Sequence, residues 1–302
     1  MPTNSRQPEP TPAASPESPL VSNAKLCQIY TMMLHCQVLA ARFTALVGEG
    51  RALAKIQPPA GEEALLAATA VDLRSSDTLC FGQTDWLTAM LKGAPLKAIC
   101  RYFDPGARAR TQAFKNMTGL QVLPDSLEEQ LAAGVEAALA HKRKKASLAI
   151  LYTTSGASLA AWREALELAG KRRLPLLIVC RTRLLYEPTQ AVPMQGTLGS
   201  FAQANNIPHI IVDGRDALAV YRVAQEATGR ARRRIGTTLI ECQVEEPDKA
   251  SPLVDPLTAM EGHLTAKGVF TAEWKEETVA RFEDQLDWAL AAATRRRKGS
   301  PA

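Results

Sequence analysis

Two kinds of hydrophobic pattern alternate along this chain. Leu26, Ile29, Tyr30, Met33, Leu34, Val38, Leu39, Phe43 and Leu46 recur at three- and four-residue spacing, which predicts a helix over 25–48. Helical spacing or Ala/Leu-rich composition predicts further helices over 61–73, from Trp86 to Met90, and over 127–145, 157–171, 196–205, 216–233 and 273–293. Between the later helices stand short continuous apolar runs at 147–153 (SLAILYT), 176–180 (LLIVC), 209–212 and 238–244 (TLIECQV). Runs of that kind are strands buried on both faces. Their alternation with helices predicts an α/β fold, a mostly parallel sheet with helices on both faces.

Composition narrows the class without naming a chemistry. The 302 residues are 46% hydrophobic and 22% charged, which fits a soluble globular chain and excludes collagen, disulfide-rich miniproteins and wholesale disorder. No apolar run reaches the roughly 18–20 residues that a membrane span needs, and the N-terminus has neither the basic start nor the apolar stretch of a secretory signal. Six cysteines without a CxxC pair read as free, buried thiols in a reducing, cytoplasmic setting. Residues 1–22 are rich in Pro, Ser, Thr and Glu and are expected to be disordered, leaving one folded domain over 23–293 and a basic tail over 294–302. The net charge is +5, with basic runs at 142–145, 230–234 and 295–298. These raise nucleic-acid binding as a rival class, but aromatic content is only 5% and no nucleic-acid motif accompanies them, so it stands as the lesser reading.

Six collinear stretches carry a family resemblance: IYTMMLHCQVLAARF (29–43), GEEALLAATAVDLRSSDTL (61–79), WREALELAGKRRLPLLIVC (162–180), ANNIPHIIVDGRDALAV (204–220), TLIECQV (238–244) and DPLTAMEGHLTAKGVFTAEW (255–274). Together they resemble the alpha subunit of the thiamine diphosphate-dependent decarboxylating component of 2-oxo acid dehydrogenase complexes, of pyruvate and branched-chain type. The resemblance implies a thiamine diphosphate-binding fold and a closing helical hairpin. It also implies a beta partner in an alpha2-beta2 assembly with cofactor at the interface, a homo-oligomer being the other possibility. The helices at 61–73 and 157–171 are then expected to be buried, partly in a subunit contact.

In that family the alpha subunit holds the diphosphate and its Mg²⁺ through Gly-Asp-Gly at one strand end and Asn at the next. The residue types follow from the chemistry: a hard cation takes carboxylate and amide oxygens, and glycines let backbone approach phosphate. Alignment through Glu164-Ala165 and Leu174-Pro175 places Thr153, Thr154 and Ser155 at Gly-Asp-Gly, or Ser155 and Gly156 after a one-residue shift. The Asn falls on Arg183 and the next ligand position on Leu185. The diphosphate-reaching Tyr-Arg pair falls on Gln83 and Thr84, with the nearby His at Trp86. The two His elements that serve catalysis fall on Gln57 and on Asp248-Lys249-Ala250, and Gly-x-Gln-x-Pro becomes Leu127 to Leu131. The implied catalytic positions (Gln57, Asp248, Ala250), cofactor positions (Gln83, Thr84, Thr153, Ser155, Gly156, Arg183) and metal positions (Thr154, Arg183, Leu185) are thus all substituted. This points to an alpha-subunit-like protein whose own thiamine diphosphate and Mg²⁺ site is degraded, with a non-catalytic scaffold or regulatory paralogue as the alternative.

Residue-level readings accompany it. Ser155 or Ser158 is expected to cap the next helix, the alternative being a metal-free phosphate loop around Gly156. Arg181 and Arg183 are expected as a solvated or salt-bridged surface pair, the alternative being an anion clamp. Asp213-Gly214-Arg215-Asp216 reads as a helix-capping turn. His35, Cys27 and Cys36 read as core packing, because their spacing does not converge on a metal.

Overall fold

Apolar runs flanked by helices pair with one another where both sheet faces are to be covered, and the chain does so here. The computed structural model describes residues 21–50, 61–82, 86–103, 114, 117–144, 146–184, 197–245 and 254–295. Helix α1 (Asn23–Gly48) starts at Ser22, whose hydroxyl accepts from the Lys25 amide, and Val21 before it is buried. Then follow α2 (Glu63–Ala70), β1 (Thr78–Phe81), α3 (Trp86–Leu91), α4 (Leu96–Tyr102), β2 (Leu120–Val122), α5 (Leu127–His141) and β3 (Ala149–Thr154). The second half comprises α6 (Leu159–Arg172), β4 (Leu176–Leu184), α7 (Thr197–Ala204), β5 (His209–Asp213), α8 (Ala217–Arg232), β6 (Thr238–Glu245), α9 (Pro256–Ala266) and α10 (Ala272–Arg295).

The six strands among the described residues are all parallel, in the order β2-β1-β3-β4-β6-β5. Alternate residues of each strand therefore face two separate cores. Leu148, Ile150 and Tyr152 with Leu177 and Val179 pack under α1–α4 and α8–α10, whereas Ala149 and Leu151 with Ile178 and Cys180 pack under α5–α7. Every residue of α2 is buried, so this helix has no solvent face. On the other side, α6 meets the turn after α7 at backbone distance: a Cβ on Gly170 would lie 2.4 Å from the Asn205 carbonyl oxygen.

At the opposite end from the strand C-termini, one carboxylate ties three elements together. Asp77, fully buried, accepts from the amides of Arg74 (2.8 Å) and Leu148 (3.1 Å) and from the Arg232 guanidinium (2.6 Å). Gly119 closes the same corner with φ +80°, and a Cβ there would lie 2.5 Å from the Asp77 carbonyl oxygen.

The expected parallel sheet is present, with two strands more than the apolar runs showed. The strands β1 and β2 have only four and three residues, too short to stand out as runs. The helix expected over 61–73 is confined to Glu63–Ala70, and that over 157–171 begins at Leu159. Within this chain it buries Trp162, Ala165, Leu166 and Ala169 and leaves Leu159 43% exposed. Val21 and Ser22 belong to the folded part, and α10 runs two residues past 293; residues 1–20 lie outside the described ones. All six cysteines are free, five of them buried. No described helix is long and apolar enough to cross a membrane.

His141 closes α5 from inside, with Nε2 2.7 Å from Thr78 Oγ1 and Nδ1 2.8 Å from Ser147 Oγ. Burial, then the Lys144 charge, hold its pKa below the ordinary 6.5, with Asp77 opposing. A lowered histidine pKa means the unfolded chain binds the proton more tightly. The contribution of His141 is therefore full above pH 6.5 and is lost as pH falls through its lower folded value. Urea unfolding between pH 7.5 and 5 should show stability falling towards acid, with a shallower slope in His141→Gln. The residual slope is set by His35, stacked on Phe282 at 4.1 Å and likewise shifted down by burial, and is opposed by Glu63, whose pKa burial raises.

Candidate functional site at the strand ends

The C-terminal ends of β3 and β4 bring the substituted positions side by side. In register, Thr153 pairs with Cys180 and Thr154 with Arg181, and the Ser155 amide donates to the Arg181 carbonyl (3.3 Å). Thr153 is buried on the α6 side with an unpartnered hydroxyl, whereas Thr154 and Ser155 are half-buried and Gly156 is exposed. Arg183 lies two residues further on β4, exposed, opposite Val244. Gln57, Gln83, Thr84, Leu185, Asp248, Lys249 and Ala250 lie outside the described residues. Trp86 is fully buried and packs edge-on against Phe43 and Phe103.

The expected surface pair of arginines does not exist. Arg181 is 7% exposed, inside the core beneath α2, and its guanidinium binds Glu62 Oε2 at 2.8 Å. A charge in the middle of an apolar parallel strand requires a buried counter-charge, and Glu62, 2% exposed just before α2, supplies it. Next to it Glu63 is also buried, with Oε2 unpartnered, and its pKa is raised chiefly by burial. The sequence signal for this pair was present: an arginine within LLIVCRTRL and two adjacent acids opening an Ala/Leu helix.

The turn between β3 and α6 is closed internally as well. Ser158 is the N-cap, its hydroxyl accepting from the Ala161 amide (3.3 Å). The Ser158 amide donates to Glu128 Oε1 (3.0 Å), and this bond is the leading cause that lowers the Glu128 pKa. A helix N-terminus is where an anion is favoured; here the protein's own Glu128, in the stretch aligned with Gly-x-Gln-x-Pro, supplies it. Capping, rather than Ser155, thus rests on Ser158 together with Glu128.

A cleft of about 680 Å³ opens beside these strand ends, bounded by β5, β6, α8 and α9. The 213–216 turn forms one wall and is a cap, as expected: Asp216 Oδ1 accepts from the Leu218 and Ala219 amides, and Asp213 Oδ1 accepts from the Arg215 amide. Arg215 crosses the cleft to the Val254 carbonyl (2.7 Å). On the α7 side His209 Nε2 lies 2.8 Å from Glu241 Oε2, both largely buried. Cys36 is buried and His35 stacks in the core.

Thiamine diphosphate with Mg²⁺ does not fit the described part of this strand end. Thr154 offers a hydroxyl at the position aligned with the family's carboxylate, and Arg183 brings a fixed positive charge. Glu62, the carboxylate within reach of Arg181, is held by it, and Glu128 covers the α6 amide end. No group of three or more His, Cys, Asp or Glu among the described residues is arranged to hold a metal ion. Arg181→Met should strand Glu62 as a lone buried charge and cost about 3–5 kcal/mol of unfolding free energy in urea titrations. The double variant Glu62→Gln with Arg181→Met should recover most of that loss.

The sequence model of the family described as "Dehydrogenase E1 component" matches residues 30–302 of this chain. Among curated proteins, the "Pyruvate dehydrogenase E1 component subunit alpha" of Staphylococcus aureus (strain Mu50 / ATCC 700699) is 28% identical over 298 residues, covering 91% of this chain and 80% of its own length. The protein of the same name from Staphylococcus epidermidis (strain ATCC 12228 / FDA PCI 1200) is 28% identical with the same coverage. With this extent of match, and with the parallel sheet and the closing helices α9 and α10 in place, the chain belongs to the dehydrogenase E1 component family, on the alpha-subunit side.

Proposed function

We propose that this chain is an alpha-subunit-like partner in a 2-oxo acid dehydrogenase decarboxylating assembly, joined to a beta subunit, whose own cofactor and metal site is degraded. The observation that carries the reading is the internal closure of the strand ends: Glu62 on Arg181, and Glu128 on the amide end of α6. The amide end of α6 and the end of β4 lie beside Thr154 and Arg183, the positions aligned with the family's metal residues. A chain that fills them with its own side chains contributes to the assembly as a scaffold or regulator, and catalysis of 2-oxo acid decarboxylation falls to other subunits.

Two measurements test this. Calorimetry with thiamine diphosphate and Mg²⁺, on the chain alone and together with a candidate beta chain, should give no metal-dependent binding heat; tight binding abolished by EDTA would restore the ordinary enzyme reading. Sedimentation at micromolar concentration with a co-expressed beta-type chain should show a heteromer. A well-folded monomer, alone and with every such chain, counts against the assembly role.

A further inference from the structure

The edge of the sheet opposite the strand ends carries a second feature. Helices α5, α6 and α8 feed the adjacent strands β3, β4 and β6, so parallel topology brings their three C-termini to one edge. Lys142, Arg143 and Lys144 follow α5; Lys171, Arg172 and Arg173 close α6; Arg233 and Arg234 follow α8. With strands about 4.8 Å apart, the three strand starts span about 10 Å, α5 and α6 reaching them from one face of the sheet and α8 from the other. They also touch: the Arg234 guanidinium donates to the Lys144 carbonyl (3.3 Å), and a Cβ on Gly236 would lie 3.9 Å from Arg173 Cα.

All eight of these side chains are exposed, and none forms an ion pair with a described carboxylate. Arg232, by contrast, is taken up by Asp77. The nearest acids on the same helices, Glu136, Glu167 and Glu226, stand at least a turn back. Helix capping does not account for this surplus. Each helix end presents roughly half a negative charge, so three of them balance about one and a half of the eight cations. Arg173 and Arg234 moreover hold φ of 47° and 60°, a backbone that glycine adopts freely and arginine does not.

The rest of the surface decides the partner. Its large exposed apolar side chains among the described residues are Leu139, 38% exposed in the last turn of α5, and Ile235, 45% exposed, which come from different elements, and it carries no described aromatic residue; the exposed Trp288 belongs to α10. It therefore lacks both the apolar centre of a protein interface and the stacking platform that single-stranded nucleic acid requires. What it offers is a run of guanidinium forks and ammonium groups suited to phosphate oxygens. We infer that this edge binds the phosphate backbone of double-stranded nucleic acid, without reading its sequence. The structure brings together two of the basic runs that stood apart in the sequence and adds 171–173 to them.

Fluorescence anisotropy of the full chain with labelled 30-base-pair DNA and RNA duplexes tests it. Contact with about five phosphates gives a log–log salt slope near −4 to −5, so affinity should fall about 500-fold between 50 and 200 mM salt. The variant Arg143→Glu, Arg172→Glu, Arg233→Glu should bind at least about tenfold more weakly with a shallower slope. Arg163→Glu, Arg222→Glu, Arg281→Glu, the same charge change elsewhere, should stay within about threefold of wild type. If the first variant unfolds, Arg143→Gln, Arg172→Gln, Arg234→Gly removes charge without adding acids and relieves the backbone at 234. Equal loss in patch and control variants, wild-type binding by the patch variant, or tighter binding of single strands would overturn the inference. So would competition by polyglutamate as effective as by duplex, which would point to an acidic polypeptide instead.

Discussion

A single carboxylate without solvent contact sets the frame of this fold. Asp77 accepts two backbone amides and a guanidinium, and those three donors come from the turn before β1, the start of β3 and the end of α8. Burying a carboxylate is costly unless its oxygens are well satisfied, and this geometry is available only when all three segments are in place. The register of the central strands and the seat of α8 therefore share one anchor. Because it lies at the strand N-termini, the other end of the sheet is free to change its chemistry without loosening the frame. That asymmetry is general in open parallel sheets, which place ligands at the carboxyl ends.

At the strand ends Glu62 and Arg181 balance each other, and Glu128 caps the amide end of α6. An ion pair such as Glu62 with Arg181 gives little net stability over an apolar pair of the same shape, since desolvation offsets attraction. Its effect is on specificity of arrangement: neither partner can leave without stranding the other. Under the proposed reading, a sheet end without cation and diphosphate would keep its charges balanced internally.

The long, doubly buried strands β3, β4 and β6 were legible because SLAILYT, LLIVC and TLIECQV have no polar residue at most positions, and periodicity of neighbouring helices set their limits. TLCF and LQV were not, because strands of four and three residues carry too few positions to rise above background. The family-equivalent cofactor positions were assigned through alignment alone. The contacts that close this end were not legible: Glu62 lies 119 residues from Arg181, and Glu128 lies 30 residues from Ser158. Local patterns do not carry partners at that separation. Arg181 was misplaced for the same reason, since β4 runs on to Leu184 only because a distant acid makes the arginine tolerable inside.

The left-handed backbone at Arg173 and Arg234 bears on how this chain responds to optimisation. A residue with a Cβ in that conformation costs on the order of 1 kcal/mol relative to glycine. Any redesign or laboratory selection that rewards thermal stability alone would therefore drift to glycine at both sites. Such variants would melt higher and carry two fewer positive charges on the same edge, so a screen for robustness would erode that surface without registering the loss.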